Sequence, residues 1–468
     1  MTRRRASARH FAPICIALRR AWQRLCCRHA ARLPIRRQKV TQLLVVAFFA
    51  IWCSAISVPK GLLLAVVQPS DSRPRVVVVG GGFAGLAALR RLSRDFDCTL
   101  VDAKQFFEYV PGMCQPYVKP QYHQRLTFDY EPICEKMGVQ WIGGVAWQLQ
   151  GENKQLLVRV HNKADAQGVM GKSGATTAAA ASEVALPFEY CIIAAGSQYG
   201  IQLDFPDQAV ASNSSLWYPT LSSASNAVGG DPQEWRLTDR QRRIGDEYEA
   251  IRSLAKRGAH VVVIGAGFVG VEFATELRHY YPELDITILD SRQECCPSLC
   301  KGARRYIQRR LQQRRITTIY GVNYAEIGKP EAAQSFWSQL GKPLPQRTFT
   351  AVGMQPHCDF MPDASLDDRG WLRINDCLQV LGGHGSNATL LAKGHIFAIG
   401  NCAGPVPGLG PLPKNSYPAE EMAAHAARSI RRLERNRPAG RFYWRWPMGM
   451  SSTSLGPRDG VLVMNNRK

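Results

Sequence analysis

The sequence has few acidic residues, 37 Asp and Glu against 59 Lys and Arg, and its formal net charge is +22. The shortage is greatest in residues 1–39, which contain eleven Arg and one Lys but no acid, so this leader carries +12 and the remaining chain +10. Most of the basic excess therefore belongs to an N-terminal leader. The sequence has no base-reading module and no interleaved aromatic and basic residues, so nucleic acid is not an expected partner.

The main apolar segment is also short, since residues 43–58 number sixteen and a bilayer span needs roughly 20. Pro59-Lys60-Gly61 interrupts it, and the apolar pattern resumes over residues 62–67. This pattern fits a signal-anchor, an Arg-rich organellar presequence, a cleaved secretory signal, or a start codon assigned too far upstream. We favour membrane or mitochondrial targeting, with residues 43–67 contacting a membrane surface or bilayer.

The chain contains fourteen cysteines, but with 468 residues it is too long for an extracellular disulfide scaffold and allows two to three domains. Cys98 and Cys191 lie in strand-like apolar runs and are interpreted as reduced, buried residues. Cys295, Cys296 and Cys300 form a cluster that is interpreted as a loop of thiols. No metal site is predicted.

Two glycine fingerprints follow short apolar runs, at residues 80–85 (GGGFAG) and 265–270 (GAGFVG). In a strand–turn–helix unit the first glycine bends the chain, the second admits a pyrophosphate, and the third packs the helix against the sheet. The helix N-terminus then binds the phosphates. A single copy would also fit an ordinary glycine turn, but two copies in full context predict two dinucleotides bound to one polypeptide.

An aspartate ends the next apolar run about 20 residues after each fingerprint, Asp102 in the first and Asp290 in the second. Such an acid accepts hydrogen bonds from both ribose hydroxyls. Asp290 would repel a 2′-phosphate and so favours NADH over NADPH, although Arg292 follows closely and suits a phosphate. The alternative for each Asp is an ordinary solvated strand end.

The remaining chain predicts further strands, an insertion, a linker and a final helix. Strands are expected over residues 156–160, 186–197, 349–352 and 395–399, a flexible insertion over 171–182, a polar linker over about 207–245, and a helix over 418–432.

The segment 395–403 (HIFAIGNCA) resembles the two-dinucleotide flavoproteins related to glutathione reductase. In that superfamily the strand ends in Gly-Asp and the carboxylate holds the ribityl chain of FAD, whereas this chain has the uncharged Asn401. Over residues 74–463 the sequence is most similar to the ferroptosis-suppressor or apoptosis-inducing-factor-like flavoproteins, and behind them to type II NADH:quinone dehydrogenases. The supporting motifs are residues 79–85 with 100–102, 265–272 with 281–283, 370–375, and 455–461.

The resemblance implies an α/β fold with two Rossmann-like dinucleotide-binding domains, the NAD domain being inserted in the FAD domain behind a basic and hydrophobic extension. The expected divisions are residues 1–71 for the leader and anchor segment, 72–250 and 346–430 for the FAD domain, 251–345 for the NAD(P)H domain, and 431–468 for a short C-terminal segment.

The resemblance also implies the cofactor-binding residues. For FAD these are Gly80, Gly82, Phe83, Ala84, Gly85, Asp102, Ala195, Gly196, Gly400 and Asn401; for the nicotinamide cofactor they are Gly265, Gly267, Phe268, Val269, Gly270 and Asp290; Val145 and Gly353 are further cofactor contacts.

Two residues are expected to act in catalysis. Glu272 lies where the family places a glutamate near the nicotinamide and the flavin, and its alternative is an acid favoured by the dipole of its helix. Lys414 occupies a Pro-Lys position at the flavin edge, and its alternative is an exposed loop lysine.

The function implied is an FAD-dependent NAD(P)H:quinone oxidoreductase that passes a hydride from NADH, or from NADPH, to the flavin and electrons to a quinone without pumping protons. Its expected state is membrane-associated, and a homodimer is compatible with it. One alternative is a sulfide- or thiol-oxidising flavoprotein, but Cys114 stands alone where disulfide reductases carry their redox pair. The other is a catalytically degenerate NADH-sensing or interaction protein, which Asn401 and Ala195 would favour.

Overall fold

A computed structural model describes residues 73–161, 182–199, 213–215, 236–327, 330–383, 388–444 and 450–464. The basic leader, the apolar segment 43–67 and nearly all of the predicted insertion at 171–182 lie outside the described residues. Within the described ranges, no helix is both long enough and apolar enough to cross a bilayer.

The described strands are, in chain order, β1 (Arg75–Val79), β2 (Asp97–Asp102), β3 (Phe106–Glu108), β4 (Thr127–Asp129), β5 (Gln140–Gln150), β6 (Gln155–Val160), β7 (Ser182–Pro187), β8 (Tyr190–Ile193), β9 (Ser197–Tyr199), β10 (Asn213–Ser215), β11 (His260–Ile264), β12 (Asp285–Asp290), β13 (Thr317–Tyr320), β14 (Arg347–Thr350), β15 (Met354–Pro356), β16 (Leu381–Gly382), β17 (Thr389–Leu390), β18 (Ile396–Ala398), β19 (Met450–Ser454) and β20 (Gly460–Met464).

The described α-helices are α1 (Phe83–Leu92), α2 (Tyr130–Met137), α3 (Leu237–Lys256), α4 (Phe268–Tyr280), α5 (Lys301–Gln313), α6 (Tyr324–Ile327), α7 (Pro330–Gln339) and α8 (Ser416–Leu433).

The first sheet has the strand order β18-β8-β1-β2-β5-β6-β7. Its first five strands run parallel, whereas β6 and β7 pair antiparallel beyond β5. Val76, Val77, Val78 and Val79 are all buried in β1, as expected for a central parallel strand covered on both faces. Helices α1 and α8 pack against each other beside this sheet.

The second sheet is entirely parallel, with the order β10-β14-β11-β12-β13. Its strands lie in the chain between β8 and β18 of the first sheet, so one dinucleotide unit is inserted into the other. This arrangement confirms the predicted α/β fold class with two Rossmann-like units. The domain boundaries stay a prediction, and β10 already belongs to the second sheet.

Four small antiparallel pairs lie outside the two large sheets in the described ranges: β3 with β4, β9 with β15, β16 with β17, and β19 with β20. β9 pairs with β15 where the chain passes between the two sheets. β19 and β20 form a C-terminal hairpin that packs on α4 and α5, the helices of the second unit.

The predicted polar linker over 207–245 is wrong from residue 237 onward, because α3 begins at Leu237. The helix is polar overall, yet Ile244, Ile251 and Leu254 recur at helical spacing and are buried. Arg240 on the same helix is also buried and pairs with Glu108 at 3.0 Å. The polar composition of this segment made an amphipathic helix resemble a linker. A buried ion pair connects the helix to β3.

Candidate functional site

The two fingerprint turns have the same backbone shape. Gly80 and Gly265, the first glycine of each, have φ values of +98° and +109°, which L side chains rarely adopt. A Cβ at Gly80 would lie 2.3 Å from the carbonyl oxygen of Ala194, and one at Gly265 would lie 2.7 Å from that of Ala351. Each turn therefore passes directly against the strand beside it.

The second and third glycines of each G-x-G-x-x-G pattern differ in their surroundings. A Cβ at Gly85 would lie 1.8 Å from the carbonyl oxygen of Gly80, and one at Gly270 would lie 1.9 Å from that of Gly265, so these glycines allow the helix to pack. Gly82 has no atom within 4 Å of an added Cβ, and Gly267 has only Arg292, at 3.9 Å. The second glycine of each turn faces open space at the start of α1 or α4. We call residues 80–85 with Asp102 the first cradle, and residues 265–270 with Asp290 the second cradle.

The two aspartates occupy equivalent positions in these cradles. Asp102 accepts a hydrogen bond from the N–H of Gly81 at 2.6 Å, and Asp290 accepts one from the N–H of Ala266 at 2.6 Å. Each carboxylate therefore fixes its own glycine turn and lies at its edge.

The second partners of the two aspartates differ. Asp102 accepts a hydrogen bond from the hydroxyl of Tyr130 at 3.2 Å, whereas Asp290 receives two from the guanidinium of Arg292, at 2.9 and 2.6 Å. Burial opposes ionisation of Asp290, but the hydrogen bonds of Arg292 and Ala266 outweigh it and lower the pKa of Asp290.

A small cleft opens where β18 ends and α8 begins. Its lining consists of Gly400, Asn401, Ala403, Gly404, Leu412, Pro413, Lys414, Asn415, Pro418, Ala419 and Met422. The N-terminus of an 18-residue helix faces this cleft, and such an end favours negative charge. The cleft therefore combines backbone donors, one cation and apolar walls.

Lys414 is fixed in this cleft and is not an exposed loop lysine. Its ammonium donates hydrogen bonds to the carbonyl oxygens of Asn401, at 3.0 Å, and Ala403. It also lies 4.1 Å from the ring centroid of Trp371, a cation–π contact. Burial lowers the pKa of Lys414, and no carboxylate hydrogen-bonds to it among the described residues.

Asn401 and its neighbours connect this cleft to the first cradle. The Asn401 amide donates a hydrogen bond to the hydroxyl of Ser197 at 3.3 Å. A Cβ at Gly400 would lie 3.0 Å from that of Ala84 on α1, so the turn after β18 packs on the helix of the first cradle. The structure brings together most of the residues predicted for FAD.

Further predicted cofactor residues lie at or near the carboxyl edges of the strands. Gly143 of β5 is level with Asp102, and Val145 lies two residues beyond it. The other placements are Phe83 at the start of α1 with its ring 5.3 Å from that of Phe107, Ala195 and Gly196 directly after β8, Phe268 and Val269 at the start of α4, and Gly353 between β14 and β15 with a φ of +75°.

Two carboxylates lie one turn apart on α4. Glu272 accepts a hydrogen bond from the backbone N–H of Ser454 at 2.8 Å, which attaches α4 to the C-terminal hairpin. Glu276 is 2% exposed, and its Oε2 has no hydrogen-bond partner among the described residues. Burial is the main cause that raises the pKa of each carboxyl to about 7.

Cys114 is the buried thiol that faces this acidic pair. Burial raises its pKa, and the charges of Glu272 and Glu276 raise it further. A thiol in such surroundings is a poor nucleophile. The structure thus gives Cys114 two carboxylates as neighbours, which disfavours it as half of a redox pair.

The sequence did not reveal Trp371 or Glu276 as site residues. Trp371 and Lys414 are distant in the chain, so only the fold shows their contact. Glu276 had a detectable signal, because it follows Glu272 by four residues and falls on the same face of a helix.

Comparison with known proteins supports both the resemblance and the fold. A family profile described as pyridine nucleotide-disulphide oxidoreductase matches residues 74–429. Ferroptosis suppressor protein 1 of Xenopus tropicalis is 23% identical over 406 residues, which cover 84% of this chain and 88% of that protein. These matches confirm the family resemblance predicted from the motifs.

Two solved structures have similar folds. NDH2 from Plasmodium falciparum in complex with NADH gives a TM-score of 0.57 at 12% identity, covering 84% of this chain and 92% of that one. The sulfide:quinone oxidoreductase of Aquifex aeolicus gives 0.56 at 14% identity, covering 84% and 87%. At these identities the likeness concerns the fold alone.

Proposed function

The chain belongs to the pyridine nucleotide-disulphide oxidoreductase family, and from that premise we propose that it oxidises NADH through FAD and passes the electrons to a quinone. The coarser statement follows from the family itself: the protein is an NAD(P)H-dependent oxidoreductase with FAD and NAD(H) as its cofactors. The observation that supports the finer proposal best is the duplicated cradle, with one glycine turn on each of the two sheets.

The two cradles fit their cofactors by a steric criterion. At Gly82 and Gly267 an added Cβ would meet nothing closer than 3.9 Å, so the space in front of each helix N-terminus is open to a pyrophosphate. Asp102 and Asp290 lie at the edges of these turns, where ribose hydroxyls would be donors. We assign FAD to the first cradle because Asn401 and Lys414 extend it into a cleft.

FAD bound in the first cradle would supply the two-electron chemistry that links a nicotinamide hydride to an electron acceptor. Lys414 would place its ammonium at the flavin edge, fixed by two carbonyl oxygens and the indole of Trp371. Because no carboxylate hydrogen-bonds to this ammonium among the described residues, its positive charge is available to stabilise negative charge on the ligand. Asn401 would hold the ribityl chain as a neutral hydrogen-bonding group in place of the usual acid.

Glu272 and Glu276 provide a source for the proton that quinone reduction consumes. Oxidation of NADH and reduction of a quinone to a quinol together take up one proton from water. Carboxyls with a pKa of about 7 are partly protonated near neutrality and can both bind and release a proton. We propose that Glu272 transfers this proton near the nicotinamide and that Glu276 resupplies it along the same face of α4.

The test is an anaerobic titration of the purified full chain with NADH, followed by a short-chain quinone. We expect a visible flavin spectrum that one NADH per flavin bleaches and that the quinone restores. A quinone that fails to reoxidise the flavin would contradict the quinone assignment while leaving the NADH step intact. A colourless protein that still binds NADH would contradict the whole proposal and favour the sensing alternative.

Lys414→Met sharpens this test because methionine keeps the length and apolar stem but removes the charge. We expect the flavin to remain bound and its reduction by NADH to slow roughly tenfold. The matched control is Lys393→Met, since Lys393 lies in the loop before β18 and outside the cleft. Equal effects of the two variants would contradict the role given to Lys414.

The sulfide- or thiol-oxidising alternative has less support at Cys114, because burial and the charges of Glu272 and Glu276 raise the pKa of this thiol. Adding sulfide anaerobically in place of NADH distinguishes the two functions, because only a sulfide oxidase would bleach its flavin. We also propose that residues 43–67 bring the protein to a membrane that contains the quinone. The structure does not test this step, because that segment lies outside the described residues.

A further inference from the structure

An exposed loop that contains no polar side chain borders the cleft. Residues 405–413 have the sequence PVPGLGPLP, and none of these residue types has a side chain with a charge or a hydrogen-bonding group. Leu409 at the centre is 44% exposed, and the four prolines are exposed as well. A single exposed leucine is ordinary, whereas a continuous apolar stretch is typical of surfaces that bind a partner or a membrane. We call residues 405–413 the apolar loop.

The apolar loop has a fixed shape. Val406 and Gly410 form a β-bridge whose two backbone hydrogen bonds measure 3.1 and 2.9 Å. Gly408 and Gly410 have φ values of +79° and +72°, which this tight turn requires. Val406 and Leu412 are buried, so both sides of the turn are anchored in the core. The loop therefore holds Leu409, its tip, in a defined and exposed position.

Both ends of the apolar loop border the cleft that contains Lys414. Ala403 and Gly404 line the cleft just before the loop begins, and Leu412 and Pro413 line it where the loop ends. Leu409 is not one of the lining residues, so the tip and the cleft wall are different surfaces of one loop. The loop therefore joins an exposed apolar surface to the proposed flavin site.

A tyrosine and an arginine flank the tip. The guanidinium of Arg441 would lie 3.3 Å from a Cβ added at Gly408, and its Cζ lies 5.8 Å from the ring centroid of Tyr443. Tyr443 is 67% exposed, although Phe442 before it is buried. Arg441 also pairs with Asp376 at 3.3 Å, which neutralises its charge. Tyrosine is enriched at the headgroup level of bilayers, where its ring and its hydroxyl both find partners.

Another exposed leucine lacks these surroundings. Leu340, just after α7, is 46% exposed, a value close to that of Leu409. Polar residues surround Leu340 in the sequence, at positions 338, 339 and 342. The exposure of one leucine therefore does not distinguish the two places, whereas the continuous apolar sequence around Leu409 does. Leu340 provides a matched control.

We propose that the apolar loop inserts into the interface of a lipid bilayer and holds the cleft at the membrane surface. This inference rests on the proposed function and specifies its acceptor as a quinone with a long apolar tail that stays in the bilayer. Transfer of apolar side chains from water into lipid is favourable. Because the loop has no charge, its insertion should not depend on salt or on charged headgroups.

The size of the apolar loop argues against a second copy of the chain as its partner. A stable protein interface buries about 800 Å² on each partner and takes roughly 20–30 residues from each. The loop has nine residues, and their side chains offer no hydrogen bonds to a specific protein. A bilayer needs no matching surface and accepts a small apolar tip. The observations therefore favour lipid.

The first experiment identifies what the tip contacts. The photo-crosslinking amino acid p-benzoylphenylalanine replaces Leu409 in one sample of the full chain and Leu340 in another. Each sample is irradiated with phosphatidylcholine vesicles at high salt, which screens the charges of the basic leader. We expect lipid adducts to be at least about tenfold more abundant at position 409 than at position 340, measured by mass spectrometry of the digested protein.

The second experiment tests the consequence for the acceptor. Leu409→Glu places a charge at the tip, Leu409→Met keeps the tip apolar, and Leu340→Glu adds the same charge elsewhere. For a long-tailed ubiquinone dissolved in the vesicles, we expect Leu409→Glu to raise the KM roughly tenfold and the other two variants to leave it unchanged. A water-soluble short-chain quinone should give the same kcat and KM with every variant, because Leu409 does not line the cleft.

The outcomes separate this inference from the proposed function. Equal lipid adducts at the two positions would refute insertion of the loop, and so would a cross-link from position 409 to a second copy or to another segment of the chain. Adducts confined to position 409 with an unchanged KM for the long-tailed quinone would refute the role in acceptor choice. A chain without flavin would refute the proposed function, whereas the cross-links need no flavin and would still decide the docking surface.

Discussion

In the first cradle the carboxylate of Asp102 accepts a hydrogen bond from the second residue of its glycine turn, and in the second cradle Asp290 does the same, both at 2.6 Å. A Cβ added at the third glycine would lie 1.8 Å from the carbonyl oxygen of the first glycine in one cradle and 1.9 Å from it in the other. The residues beyond this frame differ: the hydroxyl of Tyr130 donates a hydrogen bond to Asp102, and the guanidinium of Arg292 donates to Asp290. Backbone sterics fix the frame, and the side chain that bonds each aspartate, Tyr130 or Arg292, distinguishes the two copies.

The surroundings of the two cradles differ in charge as well. The first extends into a cleft with a buried cation, Lys414, held by carbonyl oxygens and an indole. The second carries two carboxyls, the half-buried Glu272 and the buried Glu276, on the helix that starts at its turn. A cation beside one cradle and carboxyls beside the other would suit the proposed transfer of a hydride and then a proton.

The largest expected effect breaks the shared frame itself. Gly85→Ala and Gly270→Ala each place a methyl group less than 2 Å from a carbonyl oxygen of the same turn. We expect each to lower the free energy of unfolding by at least about 2 kcal/mol, measured by urea titration. Gly302→Ala on α5 is the control, because its added Cβ would meet no atom within 4 Å. A tolerated substitution in one cradle only would show that the two turns are not equivalent.

The next effect separates the cradles by ligand. Gly82 and Gly267 have extended backbone angles that any residue adopts, and the space before them is open, so valine should leave the fold intact. We expect Gly82→Val to be purified without flavin, and Gly267→Val to keep its flavin but raise the KM for NADH at least roughly tenfold. Each variant is the control for the other. Loss of flavin in both would contradict the assignment of one cofactor to each cradle.

A smaller effect concerns the protons of the second unit. Because burial raises the pKa of Glu276 to about 7 in the folded protein, Glu276 binds a proton more tightly folded than unfolded. Its contribution to stability is therefore present below the unfolded pKa and lost as the pH rises through about 7. Glu276→Gln stays neutral and should reduce the decline in unfolding free energy between about pH 5 and about pH 8.

The control for this pH dependence is Glu283→Gln, which changes an exposed glutamate beyond the end of α4. Its stability should follow the pH curve of the unmodified protein. The rate of quinone reduction provides a second readout, because the glutamine variant should lose rate without losing NADH affinity. A pH curve that Glu276→Gln leaves unchanged would show that Glu276 is not the group that titrates.

Features that depend on local sterics could be predicted from the sequence. A glycine at φ near +100° after a buried strand is required wherever that turn occurs, so both cradles and their aspartates were found. The start of α3 was missed because its polar residues resemble a linker. Arg240 of this helix is buried in an ion pair with Glu108 of β3, a contact that only the fold creates. The Trp371–Lys414 contact forms only when the sheet is assembled.

The smallest expected effect tests the difference between the two aspartates. Arg292 now neutralises Asp290, which would otherwise repel a 2′-phosphate, and its guanidinium is about half exposed. Turning away from Asp290 would let it bind that phosphate. We expect Arg292→Ala to raise the KM for NADPH roughly threefold to tenfold and to change that for NADH much less.

The control for this prediction is a second exposed arginine of the same unit. Arg305→Ala removes an exposed charge from α5 without touching the cradle, and both KM values should stay the same. If Arg292→Ala weakens both coenzymes equally, Arg292 supports the turn through Asp290, as Tyr130 does through Asp102. The two cradles would then share this feature too. A selective loss of NADPH instead makes Arg292 a specificity residue without a counterpart in the first cradle.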